Sequence, residues 1–384
     1  MGGAFIGVAD DWTAIYWNPA GLSQLDKTGL GLSVEILDAR AHDSAGLINP
    51  VLPFGAENIQ RGDSFAQLGG EPNHFNGLDS RFVVPLPAAG FYTHVHGITL
   101  AAGSYAPLGF SFRVDDNSQP GYQASFKSQG YMVNHNFSLS KEVLPHVRLG
   151  TGVNLVQARL VRTSNKKTPF SEYSTSSKGD GLGVQGVFGL LVDVLPQLQV
   201  GGVYRTGQDM SLKGHVSVSN SVPAISESTD ATTHLRNPTT YGIGVCWKPI
   251  EHWRASADWQ RTSWQGYRID NTVDQPGLIL QDQQINPGWS LSSRYRFGLE
   301  WQGAHGWSVR GGYFRDPQAV SFASQSLTNL IDVDLHYYTA GLSYSTARWR
   351  VSGGEQYAVG HENLPGRTLR REAFSETIQL DYFL

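Results

Sequence analysis

The sequence predicts an all-β fold: a transmembrane antiparallel β-barrel of about fourteen strands, with an N-terminal segment folded as a plug into the lumen. Three observations predict it. Apolar residues recur at every second position from about residue 28 to the end. Short connections alternate with longer polar ones. No run approaches the ~18 uninterrupted apolar residues of a membrane helix.

Composition agrees with this class. Hydrophobic residues make up 40% of the 384, and mean hydropathy is −0.28. A barrel averages out in this range because its strands alternate lipid-facing and lumen-facing side chains. The 44 Gly, 10 Trp and 16 Tyr suit twisted strands with aromatic girdles at the two interfaces. A single cysteine, Cys246, rules out an internal disulfide framework and a cysteine-based zinc site. A net charge of −4 gives no basis for nucleic-acid binding. The chain opens MGGAF without a basic segment or an apolar signal core, so an exported protein of this sequence would have lost its signal or carry a late start.

The chain divides into two parts. Residues 1–27 lack sustained alternation. Asp10 and Asp11 can cap a short helical turn there, and Pro19-Ala20-Gly21 is turn chemistry. Because this piece precedes the first strand on the periplasmic side, it can fold into the lumen as a hatch. Residues 28–384 form the barrel, with strands predicted to begin near 28, 87, 98, 127, 147, 181, 198, 233, 253, 293, 307, 333, 348 and 372. The alternation is plain at the C-terminus, where Ile378, Leu380, Tyr382 and Leu384 share one face and Thr377, Gln379 and Asp381 the other. Trp253, Ala255, Ala257 and Trp259 alternate in the same way with Arg254, Ser256, Asp258 and Gln260. A soluble sandwich would show the same period, but it has no reason to keep long connections at one end. Tight turns are expected near 94–97, 141–146, 195–197, 249–252, 302–306 and 346–347. Long polar loops are expected near 41–80, 112–126, 163–180, 217–232, 266–292, 317–332 and 359–371. An even strand number places both termini on the periplasmic side, and closure removes edges that lipid cannot solvate.

Several local patterns carry chemistry. Inward Arg148, Arg205, Arg254, Arg294, Arg296 and Arg310 could pair with a ligand carboxylate, the first three being the chosen candidates, or could pair with lumen acids such as Asp258 and Glu300. Gly181, Gly183 and Gly186 fit a dinucleotide spacing, but no helix follows. His94 with His96, and Asp332 with Asp334 and His336, share faces at metal-ligand spacing; a polar turn and a polar lumen rim explain them equally. No G-x-S-x-G elbow occurs, so neither an enzyme nor a cofactor is expected.

The segment GGAFIGVADDWTAIYWNPAGL resembles the N-terminal hatch signature of the FadL long-chain fatty acid transporters, a family that includes toluene and xylene channels. Asn18-Pro19-Ala20 matches its Asn-Pro-Ala motif, and ITLAAGSYAPLGFSF, VRLGTGVNLVQARL and FGLEWQGAHGWSVRGGYFRDP are similar in order along nearly the whole chain. The resemblance implies a fourteen-stranded barrel with a hatch. It also implies passive movement of fatty acids or hydrocarbons from an outer groove to an inner pocket, then sideways through a kink in the third strand into the membrane. Family members carry further mature residues ahead of the GGAF-like segment, so gating by an extreme N-terminus is not carried over. In this sequence the third strand holds Tyr105, Pro107, Gly109 and Phe110. Pro107 lacks a ladder donor and Gly109 packs nothing, so together they can open the wall; alternatively Pro107 marks the strand's outer end. The expected setting is the bacterial outer membrane. The expected partners are a hydrophobic small molecule, outer-membrane lipids and the barrel assembly machinery, with the chain a monomer. A barrel of the same shape serving secretion or surface interaction is the alternative reading, and a membrane-embedded hydrolase a third.

Overall fold

The computed structural model describes residues 1–44, 78–116, 120–285, 288–320, 332–364 and 366–384. Its strands are β1 (Gly29–Asp43), β2 (Leu78–Val95), β3 (Ile98–Asp116), β4 (Gln123–Leu144), β5 (Val147–Lys167), β6 (Glu172–Leu195), β7 (Leu198–Arg205), β8 (Gln208–Ser221) and β9 (Ala224–Asn237). They continue with β10 (Thr240–Trp247), β11 (Trp253–Thr262), β12 (Ile269–Val273), β13 (Gln283–Ile285), β14 (Ser292–Gln302), β15 (Trp307–Asp316), β16 (Leu335–Ser345), β17 (Trp349–Leu364) and β18 (Arg367–Phe383). β7 with β8, and β9 with β10, each make one bent crossing strand, while β12 and β13 belong to the connection after β11. Fourteen strands therefore cross the barrel. The ring closes because β1 pairs antiparallel with both β18 and β2.

The two bends lie side by side. Thr206-Gly207 interrupts one crossing strand and Pro238-Thr239 the next, and the Gly207 amide donates to Thr239 Oγ1 at 3.1 Å. β7 continues the ladder on the lower part of β6, and β8 on its upper part. Thr206 seals the step between them with bonds to both the amide and the carbonyl of Gly186.

The polar tracts expected as loops at 112–126, 163–180, 217–232 and 359–371 are mostly strand. β5 runs to Lys167 and β6 begins at Glu172; β8 and β9 are joined through Val222 and Pro223. The reason is physical: these Ser- and Thr-rich tracts keep the period of two, and a strand beyond the membrane can be polar on both faces. The tract at 41–80 lies largely outside the described residues, as does much of 317–332.

Side-chain direction follows the pleat. Leu32, Ile378 and Phe297 are more than half exposed on the outer wall, where lipid would cover them. Trp253 faces Trp301 across the ladder, and Trp307, Tyr344 and Trp349 meet at tilted angles along the periplasmic rim, forming an aromatic girdle.

Candidate functional site

The segment before β1 packs against the inner wall of the ring as far as Leu25, and Asp26 and Lys27 are exposed. The segment contains a short helix α1 (Ala14–Trp17) and a 3₁₀ turn (Pro19–Gln24). Ile6, Val8, Trp12, Ile15 and Leu22 are fully sequestered. The wall accepts this segment because glycine occupies the inward positions that face it. A Cβ at Gly31 would fall 2.0 Å from Trp12 Nε1, one at Gly150 2.3 Å from the Ala20 amide, one at Gly201 2.2 Å from the Ile6 carbonyl and one at Gly312 2.1 Å from the Gly2 amide. These four glycines sit on β1, β5, β7 and β15, spread around the ring. Any side chain there would collide with the segment's backbone or with Trp12.

Polar contacts hold the segment in place. Asn18, fully buried, donates to the carbonyls of Ile6 (2.9 Å) and Leu190 (3.0 Å) and accepts from the Ala20 amide (3.2 Å). Pro19 opens the 3₁₀ turn, where a missing N–H leaves no unmet bond. Ser140 donates to the Ala20 carbonyl at 2.9 Å. Asp258 on β11 accepts from the Phe5 and Ile6 amides at 2.7 and 2.9 Å. Asp10 pairs with Arg254, which bonds Glu300 at 3.0 Å, and Glu300 in turn holds Arg310. Asp11 lies 3.8 Å from Arg350, which is bound to Asp381 at 2.9 Å. Burial pushes the Asp11 carboxyl above its ordinary range despite Arg350.

Of the two readings offered for Arg148, Arg205 and Arg254, the geometry gives each of them partners within the chain. Arg148 is bound to Asp193 at 2.8 Å, Arg254 to Asp10 and Glu300. Arg205 donates to the Tyr16 and Trp17 carbonyls and lies 4.9 Å from the Tyr16 ring centre. All three position the wall or the inner segment. The residue that sequence reasoning missed is Arg162 on β5. It points inward above the segment, beside the Tyr267 phenol, and makes no ion pair or hydrogen bond among the described residues; its Nε is sequestered without a partner. Tyr267 stacks on Trp289 with ring centres 4.5 Å apart, and Trp264 meets both edge-on. A guanidinium without a counter-ion beside Tyr267, whose ring is packed on Trp264 and Trp289, can receive an anionic group attached to an apolar body. Apolar surface continues around the inner wall above the segment, as Met132, Leu160, Met210 and Leu212 on one side and Phe126, Val114, Leu335 and Leu369 on the other.

Pairing in the wall is interrupted at the third strand. β2 and β3 pair only from Val95/Ile98 to Ala88/Tyr105; above that, β2 keeps its ladder with β1 alone. β3 keeps its ladder with β4, but a bulge at Ala106-Pro107 inserts one residue opposite Val133. The bulge reverses the pleat: Tyr105 faces inward opposite Asn134, and beyond the bulge Phe110 faces inward opposite Gly130. Gly109 then faces the side chains of β2, where a Cβ would sit 3.0 Å from Leu86 Cδ2. The upper half of β3 has slipped inward behind β2. Three prolines, Pro85 and Pro87 on β2 and Pro107 on β3, flank the separation, and none carries a ladder donor. An apolar depression of about 520 Å³ opens there on the lipid side, lined by Leu32, Val34, Pro87, Ala106, Ile378 and Leu380 among others. Of the four residues picked from the sequence, Tyr105, Pro107 and Gly109 border the separation, and Phe110 belongs to the inner apolar cluster instead. The Tyr105 ring also meets Tyr16 of α1 edge-on at 5.4 Å, so the inner segment touches the wall where pairing stops.

The other motifs do not converge. His94 bonds Thr99 and the Lys27 carbonyl, while His96 sits in the turn. Asp334 pairs with Arg315, Asp332 accepts from Ala319 and Val320 amides, and His336 bonds Tyr313. No group of three metal-ligating side chains occurs among the described residues. Gly181, Gly183 and Gly186 lie in or beside the β6–β8 ladder.

Known proteins were compared on this basis. A search of curated protein sequences returned no match. Among solved structures, the chain is similar to a Pseudomonas aeruginosa FadL homologue (TM-score 0.79, 14% identity, 100% of this chain and 97% of that one). It is also similar to the Ralstonia pickettii toluene transporter TbuX (0.71, 16%, 100% and 96%) and the Pseudomonas putida toluene transporter TodX (0.64, 14%, 97% and 94%). At these identities the likeness establishes the fold. A family model described as outer membrane protein transport protein (OMPP1/FadL/TodX) matches residues 1–360. The chain belongs to that family: it is an outer-membrane transport barrel and not an enzyme.

Proposed function

We propose that this barrel moves small hydrophobic molecules passively from the outer side into the membrane through the gap between β2 and β3, with residues 1–27 acting as the hatch that blocks straight passage. The loss of β2–β3 pairing above Ala88/Tyr105, facing an apolar depression, carries this reading. An apolar solute gains about 0.8 kcal/mol per CH₂ kept from water, so a sideways exit into lipid is downhill and a periplasmic exit is not. Named relatives are toluene transporters and a FadL homologue, which supports apolar cargo. Arg162 and its aromatic neighbours favour cargo with an anionic end, such as a fatty acid or an aromatic carboxylate, over an uncharged hydrocarbon. Asn18, Pro19 and Ala20 anchor the hatch to the wall, and Tyr16 against Tyr105 links it to the gap. The ring closes through β1 with β18 and β2, and the unpaired upper edge of β2 carries Pro85 and Pro87, which discourage pairing with another chain; this supports a monomer inserted by the barrel assembly machinery among outer-membrane lipids.

The test is transfer into vesicles. Reconstituted protein is compared with empty vesicles for uptake of labelled oleate and labelled toluene, and with a Pro107→Val/Gly109→Val variant. Uptake above background that falls in the variant supports lateral transport. A folded barrel that moves neither label favours a role in surface interaction.

A further inference from the structure

We propose that the outer rim of β18, β1 and β2 binds the phosphate of a phosphorylated saccharolipid in the outer leaflet. The lipid-facing side chains of these strands are apolar up to Ile36 on β1, Val83 on β2 and Phe374 on β18, Glu376 apart, and then become charged within one or two pairs. Arg40 stands opposite Arg81 on one side and Glu372 on the other; Arg370 lies one lipid-facing position above Glu372. These side chains surround a single concavity of about 470 Å³.

Charge and exposure argue for an anion there. Two guanidiniums directly opposed across a ladder repel each other, and such a pair persists where an anion bridges it. Asp38 supplies part of that bridge, accepting from Arg81 at 2.9 and 2.6 Å, and Glu372 accepts from Arg370. Arg40 is left with Asp38 at 3.7 Å, beyond hydrogen-bond reach. The Arg40, Arg81 and Arg370 side chains stay 56%, 59% and 58% exposed, so their remaining donors are available. Guanidinium is the group of choice for phosphate because its fork matches two oxygens. The concavity lies on the same face as Ile36 and Phe374, one to two pairs further out. A ligand that fills it can lay acyl chains on those residues while its phosphate meets the arginines, which a free phosphate cannot do. The site rests on the outer-membrane placement and not on the transport reading.

The test uses the full chain in detergent micelles, titrated with bisphosphorylated lipid A and with its dephosphorylated form, and read by native mass spectrometry. The native protein should bind the phosphorylated lipid on the order of tenfold more tightly than the dephosphorylated one, and Arg40→Gln/Arg81→Gln should abolish the difference. Arg159→Gln, an outward arginine on β5 paired with Asp180, should leave it intact. Heat-modifiable gel migration checks that each variant is folded. Equal binding of both lipids, or equal loss in Arg159→Gln, would overturn the site. Displacement of the lipid by inorganic pyrophosphate at equal concentration would overturn the commitment to a lipid. Uptake of oleate in vesicles lacking lipid A reports on the transport reading separately.

Discussion

Arg162 and Arg254 have the same side chain and opposite situations. Arg254 is neutralised by Asp10 and Glu300 in a sequestered network, so removing it leaves Glu300 with Arg310 alone and frees Asp10 from the wall. Breaking a buried pair of this kind costs about 3 kcal/mol. Arg254→Ala is therefore expected to loosen the segment before β1, read as its faster proteolysis while the barrel stays heat-modifiable. Arg162→Gln removes no internal partner and should leave stability unchanged, but weaken oleate binding about tenfold with toluene unaffected. Equal effects on both labels would separate Arg162 from ligand charge. Asp11 gives a pH dependence of defined sign. Its carboxyl is raised by burial in the folded chain, so docking binds a proton. That contribution is fully present below the ordinary carboxylate value and is lost as pH rises through the raised one. Acidification should thus slow exchange of the inner-segment amides more in the native chain than in Asp11→Asn, which lacks this contribution, after correction for intrinsic rates. The turn at Pro19-Ala20-Gly21 was legible in the sequence because its residue types encode it, whereas the capping bond of Asn18 was not. Nor was Arg162, since inward arginines look alike along a strand and only the ring decides which of them meets an acid.

β3 shows how one element carries the opening. Pro107 was legible as a break in pairing, but the reversal of face was not: a period of two read through Tyr105-Ala106-Pro107-Leu108 gives no sign of which residue is extra. Phe110 was consequently placed at the gap when it belongs to the inner cluster. The neighbour's contribution was also hidden, because Pro85 and Pro87 lie in a different strand. Gly109 matters because β2 side chains fill the place of its Cβ. Gly109→Val alone should fill the space between β3 and the Leu86 side chain and reduce uptake several-fold, whereas Gly202→Val, at an open position, should not. The polar outer tracts were misread as loops for a related reason. Polarity reports the solvent around a segment, and outside the membrane a paired strand and a loop share that solvent.

At the scale of the whole molecule, the strand count, closure and direction of the turns followed from alternation and the need to satisfy every backbone group in lipid. The packing of the segment before β1 against inward glycines on nearly every side did not, because glycine also marks bends and bulges and most of the partners are distant in sequence. The central claim is that cargo leaves through the β2–β3 gap, and a reversible staple tests it most directly. Val84→Cys/Gly109→Cys in a Cys246→Ser background places two thiols across the gap, because a Cβ at Gly109 would lie 4.0 Å from Val84 Cβ, within the range a disulfide spans, with mass spectrometry confirming the bond. The account predicts that oxidised protein in vesicles takes up labelled oleate no faster than empty vesicles and recovers on reduction. Uptake unchanged by the closed staple would contradict it, and the path would have to run elsewhere.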